Sequence, residues 1–190
     1  NDESSAFARD RRDRKMSRPR VTPVKWAELG LVNSFLAFVL SRGAGVREAY
    51  LFTTLGRNRG LFRAWLVFSG ALMLGGKLPR RETELVILRI ADTCNSSYEW
   101  RHHVRLGRKA GLTAQEIEAV KDSAAKWRPA DEVLLCATDE LLATDDVSEE
   151  TWSRLRAFWD ERQLIEFTLL VGQYRGLASA IRALGIQPDR

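Results

Sequence analysis

Cysteine and histidine are scarce in this chain, with two of each in 190 residues. Cys94 and Cys136 are far apart in sequence, which excludes a dense disulfide framework and a C-x-x-C pair and makes a reducing cytoplasm the simpler setting. The shortage of histidine argues against metals. Glu99-x-x-His102 matches an element that di-iron helical bundles need twice, and only one copy exists here. Cys94 with His102 or His103 lacks the second pair of ligands that a structural zinc site requires. No metal and no cofactor are therefore expected. Long apolar runs are also missing. The richest stretches, "LVNSFLAFVL" and "LFRAWLVFSGALMLGG", are too short or too interrupted to span a bilayer, and no apolar segment with a small-residue cleavage site reads as a signal peptide. A soluble protein with no membrane partner is expected. Internal repeats and low-complexity tracts are absent, which excludes solenoids and arrays.

What is present suits one sizeable core, since 45% of the residues are hydrophobic. The net charge is +5, but residues 1–20 hold seven basic and four acidic side chains, leaving 23 against 21 for the rest. Residues 1–20 have too little apolar surface to offset the entropy of ordering and read as a mobile basic arm. Residues 21–190 read as a single helical domain. Arg9, Arg11, Arg12, Arg14 and Lys15 would be the phosphate contacts of a nucleic-acid reader. Asp10 and Asp13 interrupt them and no aromatic ladder accompanies them, so nucleic acid is not expected as a partner.

Apolar positions recur at three- and four-residue steps over 47–56 and 60–75, before "GGKLP" breaks the pattern. "RRETELVILRIADTC" is apolar almost all round, as a helix in the centre of a bundle must be. A helix from about Ser96 to Ala110 ends at Gly111, and Thr113 with Glu116 forms the spacing of a capping box. Pro129 opens another helix through Leu142, Ser148 caps the next, and a long helix closes the chain. In that last helix Gly172 and Gly176 predict close helix packing. Trp26, Leu31, Phe35, Phe38 and Val39 are expected to be core. The fold class is an all-α bundle.

"CNSSYEWRHH", residues 94–103, holds both histidines. At about 100° per residue, Ser96, Glu99 and His103 share one helix face, with Tyr98 and His102 to either side. Only His103 stands at i,i+4 from Glu99. Glu84 sits in so apolar a helix that it must reach the surface or find a partner, and an antiparallel neighbour would bring it toward the Glu99–His103 face. A carboxyl and an imidazole withdrawn together from water can be tuned for proton transfer near neutral pH. Spacing alone more often means a solvated ion-pair surface, here among Arg101, Arg105, Arg108 and Lys109. Cys94 taken alone reads as a small buried hydrophobe.

"LPRRETELVILRIADTCNSSYEWRHHVRLGRKAGLT" resembles the core of the carboxymuconolactone decarboxylase family, which includes the alkylhydroperoxidase D-like proteins, and the resemblance extends over about residues 47–188. It places the family's glutamate at Glu84 and its histidine at His103. The two cysteines of peroxidase-type members fall on Ser96 and Glu99, which can neither attack a peroxide nor resolve a sulfenic acid. The resemblance implies an alkylhydroperoxidase D-like helical bundle that forms a trimeric or hexameric homo-oligomer and acts on a small-molecule substrate. It further implies His103 as general acid or base, Glu99 as its proton partner or a second acid, Glu84 as the orienting carboxylate, and Ser96 and Tyr98 as donors to a substrate oxygen. The implied reaction is proton transfer next to a carbonyl, with decarboxylation of a lactone acid as the family precedent. One alternative is hydroperoxide reduction through Cys94 activated by Glu84 and His103. Another is a non-catalytic helical oligomer whose basic arm contacts an acidic partner.

Overall fold

The computed structural model describes residues 19–43 and 49–189, and every regular element among them is helical. A 3-10 turn at Trp26–Leu29 precedes α1 (Leu31–Gly43), α2 (Tyr50–Leu55), α3 (Arg59–Met73), α4 (Arg80–Thr93) and α5 (Ser97–Lys109). Then come α6 (Ala114–Ala119), α7 (Pro129–Thr144), α8 (Glu149–Leu155) and α9 (Glu161–Leu184). Apart from residues 19 and 20, the arm expected over 1–20 lies outside the described residues, as do residues 47 and 48 of the expected 47–56 helix.

The chain divides into two compact units. One unit takes the residues up to Arg57 together with Ala183–Arg190. Val24, Leu29 and Ala37 form its buried cluster, with Phe52 packed against them. The amides of Arg20 and Val21 donate to the Leu184 carbonyl at 3.0 and 3.1 Å, and the Tyr50 amide donates to Asp189 Oδ1 at 2.8 Å, so both ends of the described chain are tied into this unit. The expected burial of α1 is not met. Leu31 is 92% exposed, and Phe35, Phe38 and Val39 are exposed as well. An amphipathic pattern identifies an apolar face without identifying what covers it. The side chain of Trp26 lies outside what the structure describes.

The second unit, Asn58–Arg182, is organised around α4. Leu85, Val86, Ile87, Leu88 and Ile90 are fully buried, and each such side chain contributes about 1.5–3 kcal/mol by leaving water. One side of α4 joins Val133, Leu134, Leu164, Phe167 and Tyr174, while Leu85 and Leu88 join Leu112, Ile117 and Val120. The helix stops at Thr93 because Asn95 enters the left-handed region at φ 53°, a conformation its short polar side chain tolerates. The Ser96 amide then donates back to the Ala91 carbonyl at 2.7 Å, closing the end of α4 and turning the chain into α5.

Other terminations follow local chemistry. Thr113 and Glu116 form the reciprocal capping box at α6, and Ser148 accepts from the Thr151 amide at α8. Helix α7 runs on to Thr144 and ends at Asp145, which is left-handed at φ 62°. The glycines of α9 do not mark close packing, since a Cβ at Gly172 or Gly176 would meet nothing within 4 Å. Gly107 of α5 does. A Cβ there would lie 3.1 Å from Leu112 Cδ1, 3.4 Å from Leu88 Cδ1 and 3.8 Å from the Cβ of Glu84. The missing side chain lets α5 approach α4 at the level of Glu84. No helix among the described residues is long and apolar enough to cross a membrane.

Candidate active site

Glu84 enters the core with the buried helix that carries it, between Thr83 and Leu85, and is fully buried. A carboxylate there needs charged or donating partners, because an unpaired buried charge is costly by several kcal/mol. It has two. His103 Nδ1 lies 2.7 Å from Oε2, and Arg80, one turn earlier on α4, forms an ion pair with Oε1. With Arg80 holding Glu84 as the carboxylate, His103 Nδ1–H is the donor and Nε2 is left to take or release a proton. His103 is itself buried, and the Tyr174 ring packs perpendicular to it at a centroid distance of 5.1 Å and an interplanar angle of 86°.

Glu99 occupies the first turn of α5, one turn before His103. It is 3% exposed, and neither of its carboxyl oxygens makes a hydrogen bond. His103 has turned to Glu84 on the neighbouring helix instead of to Glu99 on its own. Burial pushes the Glu99 carboxyl up to about 7, and the nearby Ser96 hydroxyl pulls it only part of the way back. Ser96 is the residue before α5, and its buried hydroxyl also lacks a hydrogen-bond partner. Tyr98 and His102 pair with each other at 4.8 Å between ring centroids, and Trp100 lies under the Lys121 ammonium at 4.5 Å.

Cys94 terminates α4, half buried against the main core cluster. Burial and the charge of Glu99 push its thiol up, more than Arg182 and Arg175 pull it down. A nucleophilic cysteine needs the opposite shift, toward thiolate. Cys136 is pushed up by burial too, and it sits near Glu140 and Thr151 in a cap of α8. Among the described residues no three His, Cys, Asp or Glu side chains are grouped to hold a metal ion.

Two residues of the site carried no weight in the sequence reading. Arg80 stands at i,i+4 from Glu84, a spacing that could have found it. Tyr174 is remote in sequence, and its helix gave no local sign that the ring would face His103. Its hydroxyl donates to Met73 Sδ at 3.3 Å, and burial with the charges of Glu84 and Glu99 keeps the phenol firmly protonated.

The carboxymuconolactone decarboxylase family model matches residues 59–133, from the start of α3 into α7, a span that contains Glu84, Ser96, Glu99 and His103. No curated protein sequence matches the chain. Among solved structures, an uncharacterized peroxidase-related protein with an alkylhydroperoxidase AhpD core from Ralstonia eutropha JMP134 is similar at a TM-score of 0.80 and 18% identity, over 91% of this chain and 93% of its own. A peroxidase-related protein from Silicibacter sp. TM1040 gives 0.76 and 16%, over 92% and 95%. The debrominase Bmp8 gives 0.75 and 14%, over 89% and 91%. At these identities the likeness is one of fold.

Proposed function

We propose that this chain, whose residues 59–133 match the carboxymuconolactone decarboxylase family model and which shares the fold of alkylhydroperoxidase AhpD-core structures, is an acid–base enzyme of that family moving a proton next to the carbonyl of a small lactone or carboxylic substrate. The observation that carries this reading is the buried Glu84–His103 pair, with His103 Nδ1 engaged at 2.7 Å and Nε2 left over. His103 Nε2 takes the proton from the carbon beside the carbonyl, and the C–H electron pair moves into an enolate. Glu84, kept anionic by Arg80, stabilises the imidazolium through Nδ1–H. Glu99, poised near 7, gives a proton to the enolate at oxygen or carbon. For a substrate that decarboxylates, the C–C bond to the carboxylate breaks, carbon dioxide leaves, and the electron pair left on carbon takes that proton. The hydroperoxidase alternative has less support, because the Cys94 thiol is shifted away from thiolate.

The test is hydrogen–deuterium exchange at the α-carbon of α-angelica lactone, an unsaturated γ-lactone with acidic α-hydrogens, followed by proton NMR in D2O. The wild type is expected to exceed the buffer rate, His103→Gln and Glu99→Gln to lose on the order of 100-fold or more, and Cys94→Ser to retain the rate. Exchange no faster than buffer would sink the acid–base reading. Consumption of an organic hydroperoxide that disappears in Cys94→Ser would restore the thiol.

A further inference from the structure

The sulfur of Met73 at the end of α3 is the meeting point of two good donors. The Tyr174 hydroxyl donates to Sδ at 3.3 Å, and Arg80 Nη1 approaches the same sulfur at 3.5 Å while also donating to the Met73 carbonyl at 2.8 Å. A thioether is a weak acceptor. The other nitrogen of the Arg80 guanidinium, Nη2, is on Glu84, and Glu84 in turn accepts from His103. Tyr174 is buried, and its ring stands perpendicular to the His103 imidazole at 5.1 Å between centroids, so the residue that donates to the sulfur also packs on the acid–base pair. A phenol and a guanidinium thus converge on one sulfur next to the acid–base pair. An oxygen that gains charge would be held there far better than a thioether is.

We infer that Tyr174 and Arg80 are the donors to the substrate's carbonyl oxygen, which displaces Met73 Sδ from between them and is stabilised there as it becomes an enolate. The inference rests on the acid–base reading for the identity of the reacting group, and it adds two catalytic donors to the reaction. Met73 is unbranched and flexible at its end, so its sulfur can withdraw without moving the helix. No bond to the protein forms or breaks at this position. The two donors keep their protons, and the charge on oxygen comes from the C–H electron pair that stays on the substrate when His103 takes the proton. The class of ligand is a neutral lactone or ketone with one carbonyl oxygen free to enter.

The experiment uses α-angelica lactone labelled with carbon-13 at the carbonyl, bound to the full chain, and reads both its infrared carbonyl stretch and its α-exchange rate. In the wild type the bound stretch is expected at lower wavenumber than in water. In Tyr174→Phe, which keeps the ring against His103, the stretch should return toward the unbound position and the exchange rate should fall by about 100-fold, mainly in kcat. Met73→Leu removes the resting acceptor and should keep the low-wavenumber carbonyl. A Tyr174→Phe variant with unchanged carbonyl stretch and exchange, alongside a dead His103→Gln, overturns the oxygen site and leaves the acid–base pair standing. A Tyr174-dependent carbonyl shift without α-exchange in the wild type supports the oxygen site and removes the acid–base reading.

Discussion

Replacing Glu99 by glutamine should change how stability depends on pH. The buried carboxyl is displaced from an ordinary 4.5 to about 7, and at about 1.4 kcal/mol for each tenfold change in proton affinity this corresponds to roughly 3 kcal/mol between its two states. Because the folded-state pKa lies above the unfolded one, the folded chain binds more protons between these values. Stability is therefore complete below about pH 4.5 and declines as the pH rises through 7. Position at the start of α5 works the other way, since a helix N-terminus favours a negative charge, but by only about 0.3–1 kcal/mol. Burial wins. Urea unfolding of wild type and Glu99→Gln at pH 5, 6, 7 and 8 reads the difference directly. The variant is expected to gain on the wild type by about 3 kcal/mol over that range, equivalent to roughly 6–12 °C in Tm for a chain of this size. Parallel stability curves for the two proteins would refute the reasoning and would mean that Glu99 reaches water or a partner.

Two further predictions concern the scaffold. Gly107→Ala trades better helix propensity, about 1 kcal/mol, against a Cβ 3.1 Å from Leu112 Cδ1, so Tm should move little while the lactone exchange rate falls about tenfold as α5 is eased away from Glu84; an unaltered rate would show that the helix spacing is slack. Asp131 is fully buried; burial pushes its carboxyl up, but hydrogen bonds from Arg128 and Arg81 outweigh this and hold it below the usual carboxylate range. Asp131→Asn should cost about 3 kcal/mol at neutral pH by urea titration, and the wild type's advantage should disappear as acid protonates the aspartate; a variant as stable as the wild type at pH 7 would contradict this.

Periodicity was sufficient for the helices of the second unit, because their apolar faces meet inside one core and their ends carry capping residues such as Thr113 and Ser148. It failed where burial depends on a covering partner, as for Leu31 and Phe35 of α1, and where small residues were read as contacts, as for Gly172 and Gly176. In the site, spacing placed Glu99 and His103 on one helix face, yet the imidazole pairs with Glu84. Two residues on one helical face can turn their side chains toward different neighbours, and a carboxylate already fixed by Arg80 is the stronger magnet. Tyr174 could not be read locally, because its ring meets His103 through a contact between α9 and α5, which are far apart in sequence.

The helix that carries Glu84 is buried on all sides along Leu85–Leu88, which places the centre of the chemistry on the most protected backbone of its unit. Amides in that segment should exchange with solvent only through global opening of the unit. Local breathing of α4 is therefore closed as an entrance for a ligand, and the Glu84 carboxylate keeps its position for as long as the unit stays folded. At the proposed oxygen site the side chain that gives way is Met73 at the end of α3, so the part of the site that stays fixed and the part that yields are encoded in different helices.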